Sequence, residues 1–328
     1  MTNFQIYKKT LSFSLVNALL GILCLAILVG FSTLGFVLMD KANGNGILGL
    51  VIGFIVSIIF IILINIFGTN VMKAGQIAMI TKGTTEGKLS DNTFKNGCKA
   101  VKSRFGSITV FFMITNAIKG VFQQIGRMIT RVGERVGGET GSSIASAISS
   151  VIQILISYLA DCCLGWVFYR KDKNAAAAAC EGAGIFFKHG KTFGKNFVRI
   201  FGMGFISLVL IGGAFMAGFY AIFHALPTTF ENLAVEIGEL IAQQEDPSSF
   251  LMALQNPQTL AIAAAVIAAI VIWSMLHSIF VHPFILTGVI NNFMQSGIKD
   301  MPTEAELAQL EAKSGRFSKL RAKAEALS

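Results

Sequence analysis

The chain has 328 residues, 53% of them apolar and only 14% charged, with a mean hydropathy of +0.66 and a formal net charge of +9. A soluble domain carries about a quarter charged residues, and here the apolar ones arrive in blocks of about twenty, which excludes a single water-soluble core and indicates an all-α polytopic membrane protein. The basic residues flank the apolar blocks without interleaved aromatics, the pattern of a cytoplasmic membrane face and not of a nucleic-acid partner.

Lys8 and Lys9 precede a mostly apolar run, Leu11 to Met39, too long for a signal-peptide core and read as a retained first span. The turn DKANGNG (Asp40 to Gly46) folds the second span, Ile47 to about Asn70, straight back as an antiparallel partner. Gly49 and Gly53 stand four apart in it, a spacing that lets helix backbones approach closely. From Asn70 to Arg104 the chain is polar and basic, as a cytoplasmic loop would be.

A third span is expected from Phe105, near 105–125. Ile118, Val121, Phe122, Ile125, Met128, Ile129, Val132 and Val136 then repeat at helical spacing, with Lys119, Gln123, Arg127, Arg131 and Glu134 between them. That stripe predicts a helix leaving the bilayer or lying on its surface. The fourth span, near 143–169, ends in Trp166 and Tyr169 and carries Asp161 inside its apolar run. After the basic string Arg170 to Lys173 and a second basic stretch, the fifth span runs near 197–226, with Ala214 and Gly218 as another small pair.

The loop Pro227 to Gln258 is acidic and has no lysine or arginine. Phe230, Leu233, Ala234, Ile237, Leu240 and Ile241 keep helical spacing there, which predicts a short amphipathic helix on the outer surface. The sixth span, near 260–290, contains Pro283, expected to bend or end it. The tail, 301–328, opens with Thr303 and Glu306, a capping-box pattern, and reads as a charged, solvated cytoplasmic helix. Six spans with both termini cytoplasmic place 22 of the 27 lysines and arginines inside. The discordant piece is Lys119 to Arg135: if it is cytoplasmic, the third span is re-entrant or superficial and the later topology changes.

Phe94-Lys-Asn-Gly97 and Phe187-Lys-His-Gly190 each precede an apolar run, a hint of a duplicated hairpin. Gly44 to Gly49 matches GxGxxG but lies between membrane helices with no acidic residue about twenty positions on, and Gly133 to Thr140 has Glu139 where a phosphate-binding loop needs lysine. Cys24, Cys98, Cys162, Cys163 and Cys180 form no CxxC or metal-spaced set and are expected to be reduced. No metal, cofactor or enzyme chemistry is therefore expected.

What remains is intramembrane polarity. A carboxylate at bilayer depth costs about 2.5 to 3.5 kcal/mol, so Asp161 must pair, face water, be protonated or snorkel. In a six-span topology His277 lies at comparable depth and His282 deeper toward the cytoplasm, so Asp161, His277 and His282 are the candidates for a solute or proton pathway.

Lys99 to Ile108 (KAVKSRFGSI), paired cysteines ending a span, FGKNFVRI entering the next, an outer loop and a charged tail together resemble the later half of the choline transporter-like family, over roughly residues 90–328. The layout is similar to that of uncharacterised prokaryotic membrane proteins as well. The resemblance implies a polytopic helical fold and transport, and no functional residue is carried over from it. The chain is thus expected to be a multi-pass protein of the cell (inner) membrane, transporter-like or channel-like for a small solute or ion. The alternative is a non-catalytic scaffold or assembly subunit that binds a partner, lipid or a second copy of itself.

Overall fold

The computed structural model describes residues 1–43, 45–106, 108–137, 141–190, 194–242 and 248–326. Among them the chain is helical, with no strand. Among the described residues four helices are long and apolar enough to cross a membrane, Asn3–Ala42, Leu48–Glu86, Asn196–His224 and Pro257–Lys299, and a bent pair, Thr93–Phe105 with Thr109–Gln124, is a fifth if it is one broken span. The third expected span falls within that bent pair, on a strongly amphipathic helix, and the fourth is apolar over Gln153–Tyr169, the part of it whose side chains are described. The chain divides into two compact units, Met1–Phe197 with Pro283–Ser328, and Val198–His282.

The first unit starts with α1 (Asn3–Asn43) and α2 (Gly46–Ile64), which pack along their length. Gly35, Gly49 and Gly53 make that approach possible. A Cβ on Gly49 would overlap the Gly35 carbonyl oxygen, and one on Gly53 the Phe31 carbonyl oxygen. The expected Gly49/Gly53 contact is thus present. A π turn, Asn65–Thr69, joins α2 to α3 (Asn70–Glu86), and the Asn65 carbonyl accepts both the Asn70 backbone N–H and Asn70 Nδ2 (2.8 Å).

At about 1.5 Å per residue, the 41-residue α1 is about twice as long as a bilayer core is thick. Its burial changes accordingly. Ile6, Thr10, Phe13 and Ser14 are buried, whereas Leu15, Leu19, Leu25, Val29 and Leu38 are exposed. The antiparallel strand of chain mirrors this: Phe67 is exposed, and Ala74 to Thr81 form a continuous buried run. The exposed halves are apolar enough to face lipid, and the buried halves belong to a packed helical body.

That body is completed by α4 (Thr93–Phe105), α5 (Ile108–Gly137), α6 (Gly141–Tyr169), α7 (Ala175–His189), α13 (His282–Lys299), α14 (Glu304–Lys313) and α15 (Gly315–Ala326). Gly106, at φ 65°, provides the left-handed position at which α4 gives way to α5, an 86° turn. Gln76 Nε2 donates to Ser14 Oγ (2.9 Å) and to the Thr10 carbonyl (3.3 Å), tying α3 to α1. Arg104 closes the carboxyl end of α6: its Nε, Nη2 and Nη1 donate to the carbonyls of Val167, Arg170 and Lys173 at 2.7, 2.9 and 2.9 Å. A guanidinium there satisfies carbonyls that the helix leaves open and opposes the negative end of its dipole.

The tail does not behave as a solvated helix. Phe317, Leu320, Ser314, Leu307 and Leu310 are buried, because α14 and α15 pack on α7 and α15 also on α5. Asn174 Nδ2 donates to the Ala324 carbonyl (2.9 Å), and Lys188 pairs with Asp300 (2.7 Å) and Glu306 (3.2 Å). The capping box at Thr303 and Glu306 is formed as expected. A mixed-charge sequence hid this packing, since its apolar positions meet two different helices and so hold no single period.

Phe94 to Gly97 lies near the start of α4 and Phe187 to Gly190 at the end of α7, so the two short strings do not occupy equivalent places. A different recurrence is present. After each returning helix (α3, α6, α13) comes a short loop, a polar cap (Asn92, Asn174, Thr303) and a short helix (α4, α7, α14).

The second unit is a helical hairpin, considered by itself. One limb is the later part of α8 (Gly194–Ser207), a π turn at Leu208–Gly212 and α9 (Gly213–His224); the other is α12 (Pro257–Leu276) and a π turn at His277–Val281. Between them α10 (Pro227–Ala242) and α11 (Ser249–Ala253) carry the expected amphipathic segment. Phe230 and Ala234 of α10 pack on Leu260 and Ala261 of α12, with Phe223, Ile237, Leu254 and Ala264 around them. Gly218 has open space beside it and makes no small-residue contact. Pro283 does not end the last helix, since the chain widens into the preceding π turn and resumes at His282. The side chains of Ile125, Met128, Ile129, Val132 and Val136, and Glu139, Glu245 and Asp246, lie outside the described residues.

Two outcomes follow from this packing. Gly49→Leu forces α1 and α2 apart and lowers stability by about 1–3 kcal/mol, whereas Gly218→Leu leaves the melting temperature in detergent unchanged. The Thr303 backbone N–H, and then Lys188, hold the Glu306 carboxyl below its usual range. A depressed folded value contributes stability above the ordinary carboxylate range and loses it as pH falls through that folded value. Relative to an unstructured peptide control, pepsin cleavage within 304–326 should therefore be slow near pH ~5 and accelerate below the ordinary glutamate value of ~4.3, and Glu306→Gln should reduce this excess.

Candidate functional site

Asp161 sits on α6 where that helix faces α3 and α5. Its carboxylate is buried, and Lys73 Nζ approaches Oδ2 at 2.8 Å, off the axis of a linear hydrogen bond, so the contact is chiefly Coulombic. Lys73 is about one-third exposed and reaches outward to a cavity of about 140 Å³. The cavity is lined by Asn70, Lys73, Thr115, Asn116, Lys119 and Asp161 among its polar residues, with Phe111, Phe112 and Leu164 among the apolar ones. Thr115 Oγ1 is committed to the Phe111 carbonyl (2.9 Å), and Lys119 and Asn116 are exposed at the rim. Two ammonium groups thus face one carboxylate.

The level of this pair along the helices follows from the contacts of α1. Gly68 packs on Leu20 and Gly75 on Phe13, so Lys73 lies between the last exposed apolar residues and the first buried ones. Asp161 is therefore level with the change from exposed to buried apolar residues on α1 and α3. The adjacent lysine stabilises a carboxylate held there.

His277 and His282 belong to the second unit and Asp161 to the first. His277 Nδ1 is 3.1 Å from Ser207 Oγ, which also accepts from Trp273 Nε1 (3.2 Å) and donates to the Gly204 carbonyl (2.8 Å). Both π turns begin at this cluster, immediately after Ser207 and at His277 itself. His282 opens α13, beside Pro283.

A second polar centre, absent from the sequence reading, is built around Glu181 on α7. Its buried carboxylate meets Arg170 Nη1 (2.8 Å), Lys173 Nζ (2.6 Å) and Trp166 Nε1 (3.1 Å). Arg170 also forks onto Asp172, whose carboxyl is held down to about 2 by that guanidinium. Three donors on one buried carboxylate make this a structural clamp joining α6 to α7. Its signal in the sequence was a single glutamate in an alanine-rich helix following the string Arg170 to Lys173. Among the described residues there is no group of three or more His, Cys, Asp or Glu able to hold a metal.

No family model, curated protein or solved structure matches the chain.

Removing one member of a buried pair leaves the other uncompensated. Lys73→Met should lower unfolding free energy by about 3 kcal/mol, and Lys73→Met with Asp161→Leu should recover most of the loss in thermal melts.

Proposed function

We propose that this chain is a non-catalytic four-span scaffold of the cell (inner) membrane that presents a helical body at the cytoplasmic face. The observation that carries the proposal is the contact between Gln124 and the tail. Gln124 Oε1 accepts from Ser314 Oγ and from the Arg316 backbone N–H, each at 3.0 Å, and Arg316 Nη1 donates to the Gly120 carbonyl (3.2 Å). The end of the third apolar run and the tail are therefore on one side. With the Asn3–Ala42, Leu48–Glu86, Asn196–His224 and Pro257–Lys299 helices as the crossings, only Lys41 of the 27 lysines and arginines falls on the outer side, and the acidic 227–256 segment lies there too. That balance obeys the positive-inside rule more closely than six spans do. Within Leu15–Met39, Leu48–Thr69, Phe201–Ala225 and Gln258–Val281 there is no Asp, Glu, Lys or Arg, and the acidic and basic side chains gather in the body. Such helices suit anchoring, and the body suits recognition of a partner or of lipid.

Sidedness is the test. Gln123→Cys, exposed on α5, should react with an impermeant maleimide only from the cytoplasmic side in oriented vesicles, and Thr228→Cys only from the outer side. Labelling of position 123 from outside restores six spans and removes the scaffold reading.

The cavity that reaches Asp161 favours a second reading, transport of a small solute with Asp161, His277 and His282 along the route, in keeping with the likeness to the choline transporter-like family. The scaffold reading expects equal liposome flux for wild type and Asp161→Asn. A fall of about tenfold in flux with folding intact favours transport.

A further inference from the structure

We propose that the cavity between α3, α5 and α6 seats the phosphate of an anionic lipid headgroup, held by Lys119 and Lys73 with Asn116 at the rim. This rests on the placement of the body against the cytoplasmic face. Three observations lead to it.

The first is level. The α3 wall of the cavity runs from Asn70 to Ile77, spanning the change from the exposed apolar surface ending at Phe67 to the buried run beginning at Ala74. Headgroups meet a membrane protein at that change. The second is charge. Lys73 and Lys119 face the single carboxylate of Asp161, which leaves one positive charge uncompensated in the cavity. An ammonium has three donors, so Lys73 engaged with Asp161 keeps others for a ligand oxygen, and the carboxylate holds it in place. Asp161 on the floor repels an anion that enters deeply and so confines the phosphate to the mouth, where Lys119 and Asn116 are exposed. The third is lining and size. About 140 Å³ accommodates a phosphate group, and Phe111, Phe112 and Leu164 provide apolar contact for the glycerol and first acyl carbons. A free phosphate ion shares the oxygen chemistry but gains nothing from those aromatic walls or from the adjacent apolar belt.

The test uses the full chain reconstituted in phosphatidylcholine vesicles containing a minor fraction of phosphatidylglycerol, with the lipid retained after gentle detergent extraction counted by mass spectrometry. Wild type should retain phosphatidylglycerol above its share in the vesicle, and Lys119→Gln should reduce that enrichment about fivefold, the value of one lysine at an anionic surface. Lys82→Gln, in the same body but outside the cavity, should leave it unchanged. Because Lys73→Gln alone can unfold the chain, Lys73→Gln with Asp161→Asn serves as the second variant and should also lose enrichment. Equal enrichment in wild type and Lys119→Gln overturns the proposal. So does saturable calorimetric binding of inorganic phosphate, in pure phosphatidylcholine vesicles, that phosphatidylglycerol does not displace. Maleimide labelling of Gln123→Cys in the same vesicles separates the two ideas. Cytoplasmic labelling without enrichment removes the lipid seat alone, and outer labelling removes the placement of the body.

Discussion

The length of the helices against the thickness of a bilayer governs everything else in this molecule. An apolar helix of about forty residues is twice what a membrane core of about 30 Å accepts. The sequence of α1 therefore changes character part-way, from Ile6, Thr10, Phe13 and Ser14, which pack inside the body, to Leu19, Val29 and Leu38, which face outward. Its partner does the same in reverse, from Phe67 to the buried run at Ala74. Once half of each helix is committed to a packed body, that body needs polar closure, and Gln76, Arg104 and Glu181 provide it. Arg104 gathers three carbonyls, at the end of α6 and in the turn just after it, onto one side chain.

The same change of character bears on Asp161. An isolated carboxylate inside an apolar span is costly. Here the Lys73 ammonium lies 2.8 Å from it and offsets that cost. What is left over is the second lysine: Lys119 has no acidic partner of its own in the cavity, and a surplus cation at the level of lipid headgroups is an electrostatic feature that a bilayer can answer.

Local signals were legible in the sequence. The Gly49/Gly53 pair, the capping box at Thr303, the amphipathic face of Phe230 and Ala234 and the antiparallel return after Gly46 all depend on residues within a turn or two of each other, and all four are present. The charge partners were not legible. Arg104 acts on carbonyls more than sixty positions away, and Lys73 meets Asp161 from another helix, a pairing that counting residues along spans does not reveal. The third expected span is a different case. Phe105 to Ile118 is apolar enough to suggest a crossing, but the helix continues as an amphipathic rod whose Ile118, Val121 and Phe122 are buried in the body and whose Gln124 meets the tail.

The first and last long helices of the body meet. Asn291 Nδ2 donates to Asn3 Oδ1 (2.7 Å), and the rings of Tyr7 and Phe284 lie edge to face at 5.5 Å, a contact bridging nearly the whole chain. During synthesis the segment around Tyr7 emerges long before its partner exists. The first helix pair can form on its own glycine contacts, but the contact between the two ends of the chain cannot form until translation has passed residue 291. The nascent intermediate must in the meantime keep Ile6 and Phe13 from aggregating, which makes the early chain a natural client for chaperones or for the bilayer surface itself.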